Sequence, residues 1–260
     1  MPFERLRAIA RHGADDRTLV AEAADCLAEF DDDAAGLVVT CRRLLHHHAA
    51  CGPLWWLCAR VLSAPDTSEA AWEAEELVRA DRTPARLAAL LPFPHDDPIA
   101  VLGWPELAGE ALATRPDLDA LAVRGWGEES SWHRRLARSD ATARPVDATE
   151  ALALQPTHVI AEVIAASTTH ALVTEGTTDL LAELTQGSTL VWLVAGVGRV
   201  LPDRLFAVLL QQLDPPEDHG FEVLDLQIAD RIAGPTGLDR PGNLSRRVDC
   251  PVAPELLRIG

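Results

Sequence analysis

The chain has 260 residues, of which 48% are hydrophobic, and a formal net charge of −17 at pH 7. This length suits one α/β domain with an added subdomain or two small domains, and the apolar content is enough for a sizeable core. A surface this acidic repels nucleic-acid phosphates and anionic membranes, so nucleic acid is disfavoured as a partner.

No apolar run approaches the roughly 18 residues that a membrane-spanning helix needs. The first residues, MPFERLRAIARHG, mix charged and apolar side chains and lack the apolar centre of a secretory signal. We therefore expect a cytoplasmic protein that makes no membrane contact.

The basic residues are all arginine, because the sequence contains no lysine. This excludes Schiff-base catalysis and a P-loop lysine. The five cysteines, at positions 26, 41, 51, 58 and 250, form no C-x-x-C pair. In a cytoplasmic chain this spacing predicts buried thiols rather than metal ligands or disulfides.

Residues 1–91 predict a helical subdomain. The segment RTLVAEAADCLAEF repeats its apolar residues every three or four positions, as one face of a helix requires. Further helical segments follow it: AAGLVVTCRRLLHHH, PLWWLCARVLSA, SEAAWEAEELVRAD and TPARLAALL. The proline-rich stretch PFPHDDP, at 92–98, then predicts a linker to a second domain at 98–260.

After the linker, short apolar runs alternate with helical segments. The runs predict strands at 99–104, at 119–126, within ATARPVD, at 158–166 and at 189–196. Strands separated by helices of this length favour right-handed crossovers and a mostly parallel sheet with flanking helices. The tail segment GFEVLDLQIADRIAG predicts one more strand, which could extend the sheet or meet a partner.

Six segments, taken together in their order along the chain, carry a resemblance to a known family. They are LLHHHAACGPLWWLCARVL, IAVLGWPELAGEAL, LDALAVRGWGEESSWHRRLA, HVIAEVIAASTTHALVTEGTTDLLA, TLVWLVAGVGR and DCPVAPELL. Together, over roughly residues 40 to 257, they resemble the family of initiation factor 2B regulatory subunits and methylthioribose-phosphate isomerase. The resemblance implies a Rossmann-like α/β half, of the broader group that includes ribose-phosphate isomerases and CoA transferases.

The chain departs from the isomerases of that family at the positions that perform chemistry. Where they have a cysteine after the first strand of the sheet, this chain has GWPEL at 103–107, with neither thiol nor hydroxyl. Their aspartate after the HVI strand aligns with Ile164, and Glu162 is the nearby carboxylate. Their Asn-Lys pair becomes Thr174-Glu175, and no Arg-Gly-x-Pro phosphate signature is visible. Isomerisation needs a general acid and a general base, so we expect a degenerate member without catalytic residues.

A candidate ligand site lies where the predicted strands end. Gly196 and Gly198 leave room for close backbone approach, Arg199 adds a cation, and Gly176-Thr177 begins a helix whose amides could hold an anion. The alternative is a tight turn beside a surface arginine, because Gly-x-Gly alone is a weak signal.

Three further residues follow predicted strands near the candidate site. Trp104 follows the first strand of the sheet, where it could line a pocket or fill it, and Trp126 follows the second strand in the same way. Arg124 also follows the second strand and could converge on the same edge.

The triplet His46–His48 suggests a metal at first sight. Consecutive helical residues point about 100° apart, so three in a row cannot ligate one ion. We interpret them as polar residues in the last turn of a helix, where its dipole favours cations. The sequence predicts no metal and no cofactor.

The expected function is a non-catalytic regulatory or scaffolding role in the initiation-factor-2B-like group, exercised through protein contacts. The resemblance implies dimerisation through the Rossmann-like half. We expect a homodimer, or pairing with a related subunit, that uses the sheet edge and the tail at about 221–257. The alternative is a sugar-phosphate or nucleotide binding protein or isomerase, with a phosphorylated small molecule held at the carboxyl edge of the sheet.

Overall fold

The computed structural model describes residues 15–30, 33–91, 97–124, 136–137, 139, 142–185 and 187–258. Its first part is helical, as predicted. The helices are α1 (Asp16–Leu27), α2 (Ala34–His47), α3 (Gly52–Ser63), α4 (Thr67–Arg79) and α5 (Thr83–Leu90).

Aspartate side chains set the start of three of these helices. Asp15, Asp33 and Asp66 each accept a hydrogen bond from the backbone amide three residues further on. This satisfies an amide that has no partner inside the helix. The starts of α1, α2 and α4 are therefore local consequences of the sequence.

Helix α3 lies at the centre of the first hydrophobic core. Trp55 and Trp56 are fully buried, and the core around them also takes side chains from the end of the chain. Residues of the second half of the sequence, such as Leu205 and Leu256, pack in it. The helical part is thus covered by segments that lie more than a hundred residues away in sequence.

The described residues form a seven-stranded sheet. Its strands are β1 (Ile99–Leu102), β2 (Ala120–Val123), β3 (Arg144–Val146), β4 (His158–Glu162), β7 (Leu190–Val194), β9 (Arg231–Gly234) and β10 (Gly237–Asp239). Their order in the sheet is β10-β9-β7-β4-β1-β2-β3. Neighbouring strands pair in parallel, except that β10 is antiparallel to β9. The α/β class and the mostly parallel sheet are confirmed.

Helices separate the strands of this sheet. They are α6 (Glu106–Ala113), α7 (Ala148–Ala153), α8 (Thr177–Leu184) and α9 (Asp203–Gln212). The predicted helix SSWHRRLARS falls largely outside the described residues, as does Trp126.

The expected strand at 158–166 is wrong in its extent. Strand β4 ends at Glu162, and the chain then enters a three-stranded antiparallel sheet with the order β5-β6-β8. Its strands are β5 (Ala165–Ala166), β6 (His170–Thr174) and β8 (Phe221–Asp225). The backbone shows the change, because the amide of Val163 donates to Val194 and that of Ile164 to Leu172. Both strands are apolar, so the hydropathy pattern could not reveal that the chain passes from one sheet to the other between them.

The tail contributes three strands, where the sequence predicted one. Strand β8 pairs with β6 in the smaller sheet, while β9 lies parallel to β7 and β10 folds back on β9. The tail therefore extends the main sheet and also supplies an edge strand to the smaller one. None of the described helices is long and apolar enough to span a membrane.

Helix α5 packs against the sheet and α6, and not in the core that α1–α4 share. Leu87 and Leu91 share a core with Ile99 and Val101 of β1. The division into 1–91 and 98–260 stays a prediction, and this packing places part of the first segment in the core of the second.

Candidate functional site

Three neighbouring strands of the main sheet end at one edge. Strand β4 lies between β1 and β7 and runs parallel to both. The loops after Leu102, Glu162 and Val194 therefore meet at the carboxyl edge, where parallel sheets usually bind ligands.

Glu162 is a buried carboxylate at the centre of this edge. Its side chain is 6% exposed, and its Oε2 accepts hydrogen bonds from the amides of Leu107 (2.8 Å) and Ala108 (3.1 Å). These amides belong to the first turn of α6, where the helix dipole favours a negative charge. Burial raises the pKa of Glu162, and a nearby guanidinium and the two amides oppose the rise.

Arg199 supplies that guanidinium. Its side chain is 7% exposed, and its Nη2 lies 3.0 Å from Glu162 Oε1 and 3.0 Å from Asp16 Oδ2. Its Nη1 donates to the carbonyl of Val163. Burial alone would lower the pKa of Arg199, but Glu162 and Asp16 raise it, so the side chain stays charged. The interpretation of Arg199 as a surface residue is wrong.

The glycine turn is also bonded to a carboxylate of the chain. The amide of Val197 donates to Asp81 Oδ2 at 2.9 Å. Asp81 Oδ1 accepts from the amide of Thr83 at the start of α5. A Cβ at Gly196 would collide with Asp81 Oδ2, so glycine is required for this approach. Asp81 thus joins the first helical segment to the loop after β7.

At the start of α8, too, a backbone amide is bonded to a carboxylate of the chain. Gly176 has a φ of 80°, a conformation that favours glycine. Thr177 Oγ1 donates to the carbonyl of Thr174, and the amide of Thr178 donates to the Glu222 carboxylate. The first turn of this helix therefore holds a carboxylate from β8.

Trp104 and Arg124 differ in their surroundings. Trp104 is 3% exposed and packs in the core beneath the edge, where a Cβ on Gly109 would lie 2.8 Å from its Nε1. It fills space rather than lining an open pocket. Arg124 is exposed at the end of β2, and its amide donates to Val146.

Sequence reasoning missed the acidic partners of the candidate site. Glu162 and Asp16 are paired with the Arg199 guanidinium, and Asp81 accepts a hydrogen bond from the Val197 amide. The cation and the amide that were expected to hold a ligand are therefore already bonded to carboxylates of the chain. The signal for Glu162 was a carboxylate closing an otherwise apolar strand, HVIAE. No comparable signal marks the contacts of Asp16 with Arg199 and of Asp81 with the Val197 amide, because each pair is more than a hundred residues apart in sequence.

Glu106, the first residue of α6, adds a titratable group to the same region. Its Oε1 lies 3.2 Å from Arg17 Nε. Burial raises the pKa of Glu106 to about 7, although Arg17 and Arg199 act to lower it. A group with this pKa changes its charge near neutral pH.

Two other groups near the edge offer little chemistry. Cys51 is buried, and burial and the charge of Asp16 hold its pKa well above the ordinary value, so the thiolate that would react is disfavoured. The described residues contain no group of three or more His, Cys, Asp or Glu that could hold a metal ion, and His46–His48 lie in or just after the last turn of α2.

No family model matches the chain, and no curated protein sequence matches it. Solved structures are similar to it in fold. The translation initiation factor eIF-2B of Pyrococcus horikoshii OT3 gives a TM-score of 0.73 at 11% identity, over 92% of this chain and 97% of that one. The tetrameric eIF2B-beta2-delta2 complex of C. thermophilum gives 0.69 at 14% identity, over 95% and 93%.

An enzyme is among the similar structures as well. The 5-methylthioribose 1-phosphate isomerase of Pyrococcus horikoshii OT3 gives a TM-score of 0.64 at 13% identity, over 94% of this chain and 86% of that one. Likeness over nearly the whole length, at such low identity, establishes the architecture. The chain therefore has the fold of the initiation factor 2B subunits and of methylthioribose-1-phosphate isomerase, the fold that the sequence resemblance predicted.

Proposed function

We propose that this chain is a non-catalytic regulatory or scaffolding protein of the initiation-factor-2B-like group, and that it acts through protein contacts as a homodimer. The similar structures include a tetrameric complex of two kinds of subunit, which supports an assembly role. The alternative, a protein that binds a sugar phosphate or nucleotide at the carboxyl edge, meets a physical obstacle at that edge.

The observation that carries the proposal is the internal pairing of Arg199. A phosphate bound at this edge would have to replace Glu162 or Asp16, each 3.0 Å from the guanidinium. Removing one partner of a buried ion pair typically costs about 3–5 kcal/mol. A displaced Glu162 would also leave the amides of Leu107 and Ala108 without their acceptor. The edge is therefore already complete without a ligand.

The contact surface that we assign to the dimer is the open edge of β8. This strand pairs with β6 on one side, and no strand pairs with its other side among the described residues. Its central residue, Val223, is 39% exposed. An edge strand with an exposed apolar side chain is suited to pairing with another chain. The partner that fits a self-complementary edge is a second copy of the same chain.

Light scattering of the purified chain at tens of micromolar tests this proposal. We expect about twice the monomer mass of 28.1 kDa, and Val223→Lys should shift the population towards monomer because a charge blocks an edge. The matched control is Leu152→Lys, at a residue of α7 with similar exposure, 36%. A wild-type monomer at this concentration, or equal effects of the two variants, would contradict the assignment.

Thermal-shift measurements with ribose 5-phosphate and AMP at millimolar concentration test the alternative. We expect no increase in the melting temperature, because the cation and the amides are occupied. An increase that Arg199→Ala abolishes and Arg124→Ala leaves intact would instead support a phosphate site at the carboxyl edge.

A further inference from the structure

A cavity of about 400 Å³ opens beside the glycine turn, and Arg199 is not among its lining residues. One wall is the turn itself, Gly196 to Gly198. The opposite walls are Pro235 and Thr236, between β9 and β10, and Arg246 and Arg247 at the end of a short 3₁₀ segment. Its volume falls within the range of small-molecule sites, roughly 300–1,000 Å³.

Arg247 presents an unused donor in this region. Its Nε pairs with Asp239, and its Nη2 donates to the carbonyl of Gly237 at 2.8 Å. Its Nη1 is buried and has no hydrogen-bond partner. The Arg247 guanidinium fits here because residue 234 is a glycine, since a Cβ at that position would lie 2.5 Å from Nη1. Buried donors are normally satisfied, so the lack of an acceptor at Nη1 is unusual.

The charged side chains of the cavity differ in how open they are. Asp239 is paired with Arg247, and Asp249 accepts a hydrogen bond from Trp56 Nε1 at 3.1 Å through one of its two carboxylate oxygens. Arg246 is exposed, and it forms no ion pair within the part of the chain that the structure describes. The Arg246 guanidinium is therefore the cationic donor that is open to a ligand, while Nη1 of Arg247 is buried beside it.

The remaining lining is small and apolar. Ala195, Val197, Val200 and Pro235 line the cavity, and they offer contact to a hydrocarbon body but no hydrogen bonds from their side chains. A pocket with apolar walls and a few charged donors selects a ligand that is amphipathic.

We propose that this cavity binds a small carboxylic acid with an apolar body, with the carboxylate on Arg246 and the positive charge of Arg247 beside it. A planar carboxylate matches the guanidinium fork. A phosphate dianion fits less well, because the two aspartates offset the charge of the two arginines. The inference goes beyond the scaffolding role, and it uses neither Glu162 nor the edge of β8.

Binding of benzoate to the full chain, followed by saturation-transfer NMR and calorimetry, tests this inference. Benzoate should bind saturably, while benzamide, of the same shape without the charge, and inorganic phosphate should bind at least about tenfold more weakly. Arg246→Gln should weaken benzoate binding about tenfold. Arg240→Gln, an exposed arginine outside the lining, should leave it unchanged.

A second variant separates ligand binding from folding. Thr236→Phe places a ring in the mouth of the cavity, and it should abolish benzoate binding while the melting temperature and the oligomer mass stay as in the wild type. The inference is overturned if benzoate shows no saturable binding up to about 10 mM, if benzamide binds equally well, or if Arg246→Gln and Thr236→Phe bind benzoate like the wild type. The dimer is measured separately by light scattering. A failure of benzoate to bind therefore leaves the proposed function unaffected, and a monomeric chain leaves the ligand inference unaffected.

Discussion

Glu162 Oε1 and Arg199 Nη2 lie 3.0 Å apart, and each side chain is less than a tenth exposed. Glu162 ends strand β4, and Arg199 follows the turn after β7, so the pair connects two neighbouring strands at the carboxyl edge. Asp16 of α1 bonds to the same guanidinium. Arg199 therefore also links α1, the first described helix, to the sheet.

Substitution of Arg199 by methionine should strongly destabilise the fold. The change leaves the Glu162 carboxylate buried without its counter-charge, and such losses cost about 3–5 kcal/mol. The free energy of unfolding from urea denaturation measures the effect. Arg204→Met, at an exposed arginine of α9, should change it by no more than about 0.5 kcal/mol.

A double variant tests the cause of this loss. Arg199→Met with Glu162→Gln removes both charges, and it should recover a substantial part of the stability lost in the single variant. If the two losses simply add, the buried charge is not the reason.

The stability of the protein should depend on the ionisation of Glu106. Burial raises its pKa in the folded chain to about 7, from an ordinary value of 4.5. Between these values the folded state binds the proton that the unfolded state has lost, so this group's contribution to stability falls as the pH rises from about 4.5 to 7. Glu106→Gln should raise the free energy of unfolding at pH 8 by about 2 kcal/mol.

Urea titrations at pH 5 and pH 8 measure this effect. The gain from Glu106→Gln should shrink towards pH 5, where the native carboxyl is already protonated. The matched control is Glu110→Gln, at a more exposed carboxylate that also contacts Arg17. A gain of the same size at both pH values would contradict the assignment.

Two glycines with nearly the same backbone conformation should respond differently to alanine. Gly198 has a φ of 75° and Gly220 a φ of 77°. A Cβ at Gly198 would lie 2.9 Å from Pro53 Cα, whereas nothing lies within 4 Å of a Cβ at Gly220. Gly220→Ala should cost about 1 kcal/mol for the left-handed backbone, and Gly198→Ala about 1–3 kcal/mol more for the collision. Equal losses in thermal unfolding would refute the close approach.

Asp81 should matter for stability more than an ordinary helix cap. Asp81→Ala removes the acceptor of the Val197 amide as well as that of the Thr83 amide. Leaving buried donors unsatisfied costs about 1–3 kcal/mol each. Asp218→Ala, at an exposed aspartate, should be close to neutral in the same urea titration. Hydrogen exchange should show faster exchange at Val197 in Asp81→Ala alone.

The fold was predictable wherever a short stretch of sequence specified its own structure. Aspartates mark the helix starts at 15, 33 and 66, and the alternation of apolar runs with amphipathic segments gives a parallel sheet. The division of 158–166 into β4 and β5 was not predictable. Both parts are buried and apolar, and only their pairing partners differ.

The candidate site was predictable in its location but not in its occupancy. The sequence placed Gly196, Gly198 and Arg199 at the end of a strand, and they lie there. It could not show that carboxylates from positions 16, 81 and 162 would approach them. The local sequence of an arginine beside a glycine turn is the same whether the arginine binds a ligand or is paired with a carboxylate of the chain.

The α/β class and the architecture could be read from the amino-acid order, because apolar periodicity and the order of segments are properties of the linear chain. The burial and pairing of Arg199, and the entry of tail strands into both sheets, became evident only in the folded chain. Burial and ion pairing depend on which distant segments come into contact, and linear spacing does not specify those contacts.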